Sequence, residues 1–387
     1  MKPTNPIFTG MPTTIFETMS ALARETGAIN LGQGFPDVDG PQEIRAKAAE
    51  VALAGPNQYP SMMGIPELRQ AVAAANARFY GLDVDWQSEV LVTSGATEAL
   101  ADAIFGLVAP GDEVVVIEPF YDSYVPIIRQ AGGTPVFLRI TPPEWRLDPQ
   151  ALAQAFSPRT KAIIVNDPMN PAGKVFTREE LVLIADLCLA HDAYVIADEV
   201  YEHLTFDGRR HETLMAFPGM RERVVRIGSA GKTFSLTGWK IGYVTAAPNL
   251  LGPIAKAHQF VTFTTPPNLQ AAVAHGLSLG DDYFADLAAT QAAKRDRLSA
   301  GLRAAGFTVM ACGGTYFVTT DTGPLGIDDD AAACIRLTRE AGVAAVPVSA
   351  FYASAPPTRF IRFCFCKRDE VLDAAVERLD RWLRRVA

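Results

Sequence analysis

The chain has 387 residues, 49% hydrophobic and 20% charged, enough to bury a large core and to form one large and one small domain. Its net charge is −8 and it has no contiguous basic run, which excludes nucleic acid and anionic membrane surfaces as partners. No apolar run reaches membrane-spanning length, residues 1–10 are polar and proline-rich, and the five cysteines are odd in number and scattered, so a reducing, cytoplasmic setting is expected.

In chain order, short apolar runs alternate with helical patterns. Residues 90–92, 114–117, 162–165, 194–197 and 224–227 are near-continuous apolar runs. Such runs read as strands buried on both faces, hence a mostly parallel sheet. Residues 97–107 and 177–191 have helical spacing, so the fold class is α/β. After about Asp281 the pattern changes to a long helix over 285–305, then strand-like runs at 315–318 and 360–365. This predicts a large domain over 41–284 and a small α+β domain made of 1–40 and 285–387.

Open parallel sheets bind ligands at the carboxyl ends of their strands, and here the runs end in polar or aromatic clusters. Thr93-Ser94-Gly95-Ala96-Thr97-Glu98 brings small residues into a helix start, which leaves N–H groups for a phosphate; a simple Ser94 N-cap is the alternative. It is not a GxGxxG, so a dinucleotide is not expected. Glu118-Pro119-Phe120-Tyr121-Asp122-Ser123-Tyr124 offers an aromatic to stack on a flat ring, or ordinary packing. Asn166-Asp167-Pro168-Met169-Asn170-Pro171 is a turn, either nothing more or one that fixes the Asn170 amide as a donor to a ligand oxygen. In Asp198-Glu199-Val200-Tyr201, an acid ends a buried strand, which is costly without a cation. A protonated ring nitrogen serves; so does a structural ion pair, with Arg226 the candidate. Tyr201, three residues on, returns to the same place.

Lys232 lies in Ser229-Ala230-Gly231-Lys232-Thr233, directly after a strand-like run. A lysine held among small residues can lose its proton and form a Schiff base, where a surface lysine would stay solvated. A phosphate-loop reading of Gly231-Lys232-Thr233 fails, because Arg226 stands where that motif needs glycine. Arg362, between Ile361 and Phe363, presents a fork suited to a carboxylate; the alternative is an edge-strand arginine in water. Cys364 and Cys366 fall on one face of the same run. No His or second Cys pair sits at ligand spacing, so core packing is expected and no metal. A Schiff-base lysine, an acid for a ring nitrogen, donors for a ring oxygen, a phosphate cradle and a stacking aromatic make up the inventory of a pyridoxal 5'-phosphate (PLP) site.

Asn170-Pro171-Ala172-Gly173, Asp198-Glu199-Val200-Tyr201 and Ser229 through Lys240 resemble, in order and spacing, class I, fold-type I PLP aminotransferases. Leu31-Gly32-Gln33-Gly34-Phe35-Pro36-Asp37 and Arg362-Phe363-Cys364-Phe365 are similar to the methionine aminotransferase and kynurenine–glutamine transaminase branch. The resemblance implies a seven-stranded, mostly parallel sheet flanked by helices. It implies Lys232 as the cofactor-bonding lysine, Asp198 on the ring nitrogen, Asn170 and Tyr201 on the ring oxygen, and Tyr121 stacked on the ring. Gly95, Ala96, Thr97, Ser229 and Lys240 would form the phosphate site. Tyr59 would reach the phosphate of a partner subunit, which implies a homodimer with shared sites. Gly34 and Arg362 would take the substrate carboxylate, and Phe16, Phe35 and Phe263 an apolar side chain. Thr97 and Phe263-Thr264 depart from the kynurenine-type pattern and look like the bacterial methionine enzymes.

The expected reaction is ping-pong transamination of a methionine-like or aromatic L-amino acid with a 2-oxo acid. Alternatives are kynurenine–oxoglutarate transamination and C–S β-lysis of cysteine conjugates on the same fold. A PLP-binding regulator would need a DNA-binding region, for which there is no room before Gly32, and Arg362 argues for an α-carboxylate rather than a sugar-nucleotide substrate.

Overall fold

The computed structural model describes residues 1–386. Its strands are β1 (Ile29–Asn30), β2 (Val90–Thr93), β3 (Glu113–Glu118), β4 (Thr134–Arg139), β5 (Thr160–Asn166), β6 (Tyr194–Asp198), β7 (Val224–Ser229) and β8 (Gly242–Thr245), then β9 (Thr308–Val309), β10 (Phe317–Asp321), β11 (Val343–Ala344), β12 (Val346–Pro347) and β13 (Phe360–Cys364). Seven of these form one sheet in the order β2-β8-β7-β6-β5-β3-β4. Only β8 runs antiparallel to its neighbours in that sheet.

Side chains alternate between the two faces of a strand, and both faces of this sheet are covered. Val115, Ile117, Ile163, Val165, Val195 and Ala197 enter one core, with Ile44, Leu68, Leu181 and Val273 from covering helices. Val114, Val116, Ala162, Ile164, Ile196 and Ile227 enter the other, with Leu100, Ile104, Ile128 and Ile254. That two-sided burial is why the strands read as apolar runs rather than as alternating patterns.

The chain order reverses between β3 and β5, which are neighbours although β4 lies on the outer side of β3. Such a switch point opens a crevice beyond the carboxyl ends of the strands. The loops after β3, β5, β6 and β7 all empty into it.

The helix after β2 spans Gly95–Leu107 and starts two residues earlier than its pattern suggests. The helix Arg178–Ala190 has Thr177 as N-cap, with a capping box to Glu180. The long helix Asp281–Ala304 begins before residue 285, since Asp281 and Asp282 suit the positive end of the helix dipole.

A third core holds Met19, Leu31, Leu298, Phe363, Leu372, Leu379 and Trp382. It lies over the antiparallel sheet β12-β13-β10-β9, while β1 pairs in parallel with β11. β13 is therefore an interior strand, and Arg362 on it is fully buried rather than at a wet edge. Asn5 Nδ2 donates to Gln130 Oε1 at 2.9 Å, which seats the first residues against the large sheet's helix Tyr124–Gln130. No helix among the described residues is long and apolar enough to cross a membrane.

Candidate active site

The crevice is a cleft of about 360 Å³ lined by residues from six strand ends, among them Gly34, Thr97, Tyr121, Asn170, Tyr201 and Ser229. Phe16, Gly95, Ala96, Asp198, Lys232, Lys240 and Arg362 line it too. Tyr59, Phe35 and Phe263 do not. Tyr59 is 82% exposed and meets Phe263 edge-on at 5.7 Å between ring centroids, outside the cleft of its own chain.

Asp198 ends β6 and is buried. Its Oδ2 accepts a hydrogen bond from Tyr124 Oη at 2.5 Å, and its Oδ1 has no partner among the described residues. Burial pushes its carboxyl up to about 6, partly offset by the Tyr124 hydrogen bond. Arg226 is not its counter-ion. The guanidinium turns to the opposite face of the sheet and bonds Glu199 and Glu202, with Nη1 donating to Asn76 Oδ1 at 2.8 Å. Successive residues on a strand face opposite ways, so the pair Asp198-Glu199 splits, one acid to the cleft and one to the Arg226 cluster.

Lys232 sits in a single helical turn, Ala230–Thr233, after β7. Its Nζ donates to the Gly34 carbonyl at 3.3 Å and lies 5.6 Å from the Tyr201 ring. Desolvation lowers its ammonium pKa below the usual value, so a neutral amine is easier to reach. Tyr316, which sequence reasoning missed, fixes this turn by donating to the Lys232 carbonyl at 2.7 Å.

Asn170 is held by its backbone N–H on Asn166 Oδ1 at 2.8 Å, and Asn166 Nδ2 in turn donates to the Asp198 carbonyl at 2.9 Å. The Asn170 Oδ1 accepts from Arg362 Nη1 at 2.8 Å, which leaves its Nδ2 to donate into the cleft. Arg362 Nη2 donates to the Gly32 carbonyl at 2.5 Å, and its Nε has no partner among the described residues. The guanidinium lies 3.9 Å from the Phe317 ring centroid and 5.1 Å from that of Phe16. Burial lowers its pKa to about 10, still a cation at neutral pH.

Gly95 opens its helix at φ 74°, with the backbone of Gly242 so close that a Cβ there would stand 2.5 Å from the Gly95 carbonyl carbon. The free N–H groups of 95–97 and the Lys240 side chain, which passes 3.2 Å from the Cβ position of Gly95, face one spot. This is an anion cradle at a helix start. An anion cradle, an unpaired carboxylate oxygen and a desolvated lysine in one cleft are what PLP needs, and the donor set fits it.

The model for aminotransferase class I and II matches residues 26–379. The chain belongs to that family. It is 46% identical over 378 residues to a probable N-succinyldiaminopimelate aminotransferase of Mycobacterium tuberculosis, covering 95% of each chain. It is 42% identical over 367 residues to the methionine aminotransferase of Escherichia coli, again covering 95% of each. The solved structure of the Mycobacterium tuberculosis N-succinyldiaminopimelate aminotransferase superposes with a TM-score of 0.95 at 46% identity, covering 98% of this chain and 100% of that one. This aminotransferase is therefore a fold-type I, PLP-dependent transferase of amino groups between amino acids and 2-oxo acids.

Tyr124, Asn166, Phe317 and Tyr316 are site residues that the motifs did not single out. Tyr124 had a signal: it stands three residues after Tyr121, a turn in which Tyr124 N–H meets the Tyr121 carbonyl at 3.2 Å and the two ring centroids lie 5.8 Å apart.

Proposed function

We infer that this aminotransferase acts on a neutral L-amino acid, methionine-like or aromatic, in ping-pong exchange with a 2-oxo acid through Lys232. The observation that carries the reading is the cation inventory of the cleft. Among the described residues lining it, the cations are Lys232, Lys240 and Arg362. Lys240 belongs to the phosphate end and Lys232 to the reacting centre. Arg362 alone is left for substrate, enough for one α-carboxylate and not for a second acid. Phe16, Phe317, Leu100 and Val200 supply apolar wall.

Bound PLP supplies an electron-accepting ring conjugated to the reacting nitrogen. Asp198 Oδ1 would hold a proton at the ring nitrogen, and Asn170 Nδ2 and the Tyr201 hydroxyl would donate to the ring oxygen. Burial keeps Tyr201 neutral, pushing its phenol well above the ordinary range. Arg362 and Gly34 orient the substrate carboxylate, and Tyr121 covers the ring. Lys232 Nζ would take the substrate Cα proton as general base and deliver it as acid to the cofactor's aldehyde-derived carbon, so that the amino group stays with the cofactor and the substrate leaves as a 2-oxo acid.

Exposed Tyr59, Phe260, Val261 and Phe263 form an apolar patch on one chain, which supports a homodimer in which Tyr59 completes the partner's phosphate site. The core of Met19, Leu31, Leu298, Phe363 and Trp382 draws almost wholly on 1–40 and 285–387, which supports a division into 41–284 and 1–40 plus 285–387, although Met310, Val348, Tyr352 and Phe360 pack into the large sheet's core and Phe206 into the smaller one. The five free, buried cysteines support a cytoplasmic setting.

The likeness to the Mycobacterium tuberculosis enzyme favours a second substrate, one whose succinyl arm ends in a carboxylate. That substrate needs a further cation, which the partner subunit would have to lend. The test is a panel of amino donors, without oxo acid, on the PLP-loaded protein. The neutral-substrate reading expects methionine and phenylalanine to bleach the visible band and yield one equivalent of 2-oxo acid, with glutamate slow. Preference for N-succinyldiaminopimelate by more than about 100-fold would replace it. Pyruvate and ammonia from a cysteine conjugate would point to β-lysis.

A further inference from the structure

Behind the phosphate end of the cleft lies a buried cluster that no step of the reaction uses. Glu98 and Asp102 stand one turn apart on helix Gly95–Leu107, and His258 faces them from helix Pro248–Val261. His258 Nδ1 is 2.9 Å from Glu98 Oε1 and 3.5 Å from Asp102 Oδ2. Its Nε2 is 2.9 Å from the Met62 carbonyl oxygen. All three side chains are buried, and both Asp102 oxygens are without hydrogen-bond partners among the described residues.

A carbonyl oxygen only accepts, and an ionised carboxylate only accepts, so with Glu98 ionised both ring nitrogens carry hydrogen. Burial opposes the charge on Glu98, but the hydrogen bonds from His258 and from Ser94 N–H hold its carboxyl below the usual value. Glu98 in turn takes the backbone N–H of Ser94, the residue before the phosphate turn. That contact leaves the N–H groups of Gly95, Ala96 and Thr97 to a ligand, because the Ser94 side chain makes no cap of its own. It also places a carboxylate inside the first turn of a helix whose start is to receive a phosphate. The imidazolium offsets that charge.

The other side of the ring reaches a second structure. Met62 lies in the turn in which Gly64 N–H meets the Ser61 carbonyl, three residues after Tyr59. The His258 carbonyl accepts the N–H of Phe263, the ring against which Tyr59 packs.

We propose that His258, as an imidazolium, is a positioning residue for the cofactor phosphate: it ties the Tyr59-bearing loop to Glu98 and so holds the 94–97 turn in register. This rests on the PLP assignment above. Three facts converge on it: two acceptor-only partners on one ring, the Glu98 to Ser94 link, and the shared tether of Tyr59. The groups facing His258 are Glu98 and Asp102 from one helix, the Met62 carbonyl from the loop, and Thr262, the C-cap of its own helix, beside Glu98. Burial opposes the charge on His258, but the carboxylates outweigh it and its pKa rises to about 9.

The test is PLP uptake by the apoprotein, followed as fluorescence quenching, for wild type, His258→Gln and the double variant His258→Gln/Glu98→Gln. The single variant leaves a buried, uncompensated carboxylate beside the phosphate turn and should weaken PLP binding about tenfold or more, the scale of one charged hydrogen bond. The double variant removes that charge while keeping an acceptor for Ser94, and should return to within about threefold of wild type. Equal binding by wild type and His258→Gln overturns the proposal, as does a double variant no better than the single. If the single variant does not fold, nitrogen-15 NMR of the wild-type histidines decides: a ring protonated on both nitrogens at pH 7.5 supports the proposal and a neutral ring overturns it. A wild-type apoprotein that takes up no PLP sinks the cofactor assignment itself, which is a different result from equal binding by both proteins.

Discussion

Tyr124 Oη donates a 2.5 Å hydrogen bond to Asp198 Oδ2, while the second carboxylate oxygen of Asp198 is left without a partner in the cleft. One oxygen is therefore fixed by the protein and the other is presented to a ligand. Burial raises this carboxyl to about 6, and the tyrosine works against that rise. A hydrogen bond donated to a carboxylate favours its charged form, so its loss raises the pKa further. Tyr124→Phe should thus move the midpoint of PLP uptake by the apoprotein, measured from pH 5 to 8, upward by about half a unit to one unit. A midpoint that stays at the wild-type pH would show that Asp198 does not govern uptake.

Asp198→Asn should separate stability from function. A carboxyl raised from 3.8 to about 6 binds its proton more tightly in the folded chain than in the unfolded one. Stability therefore falls as pH rises from about 4 to about 6, and the full penalty is present at pH 7.5. The apoprotein of the asparagine variant should gain up to about 3 kcal/mol at pH 7.5 and little at pH 4. Its turnover should fall by about 10²–10³-fold or more, because the ring nitrogen loses its anionic partner. Urea melts at both pH values check the first half; a variant less stable than wild type at pH 7.5 would refute it.

Arg226 gives the opposite result. It is buried against Glu199 and Glu202, with its guanidinium 4.2 Å from the Tyr80 ring centroid. Glu202 is held down to about 2: burial raises it, and Arg226 more than reverses that. Arg226→Met strands two buried carboxylates and should lower stability by about 3–5 kcal/mol. The Asp198-dependent uptake midpoint should not move, since the two acids face opposite sides of the sheet.

Lys232→Ala removes the group proposed to carry the Cα proton. The apoprotein should still bind PLP through the 95–97 turn and Lys240, but with the spectrum of free cofactor, and turnover should fall by at least about 10⁴-fold. Wild-type turnover in this variant would end the assignment of Lys232.

Five of the sheet's seven strands were legible because they are buried on both faces: β3 and β5 read as strands from β-branched runs alone. The half-exposed β4 and the four-residue β8 were not read. Lys232, Asp198, Asn170 and Arg362 were legible because each follows or interrupts such a run, where a polar group has to meet a partner. What the pattern does not carry is direction. Asp198 and Glu199 are equally acidic and adjacent, and only the strand's pleat sends one to the cleft and the other to Arg226. Distance along the chain hides the rest. Tyr316 meets Lys232 across 84 residues and His258 meets Glu98 across 160, separations at which periodicity says nothing. Tyr59 and Phe263 lie outside the cleft and pack on each other, a contact across about 200 residues that the pattern does not carry either.

Arg362 makes the sharpest prediction about substrate. Its Nη1 and Nη2 are each held by one protein acceptor, Asn170 Oδ1 and the Gly32 carbonyl, so the fork is fixed before substrate arrives. Five N–H donors with two engaged leave three for a carboxylate. Lysine at this position keeps a charge but loses the planar fork and its stacking on Phe317. Arg362→Lys should therefore lower kcat/KM for methionine by about 10–100-fold, mostly through KM, as loss of carboxylate binding common to ground and transition states. An amine without a carboxylate, such as 3-methylthiopropylamine, should lose nothing by the change. If both substrates fall equally, Arg362 shapes the cleft and does not bind the carboxylate.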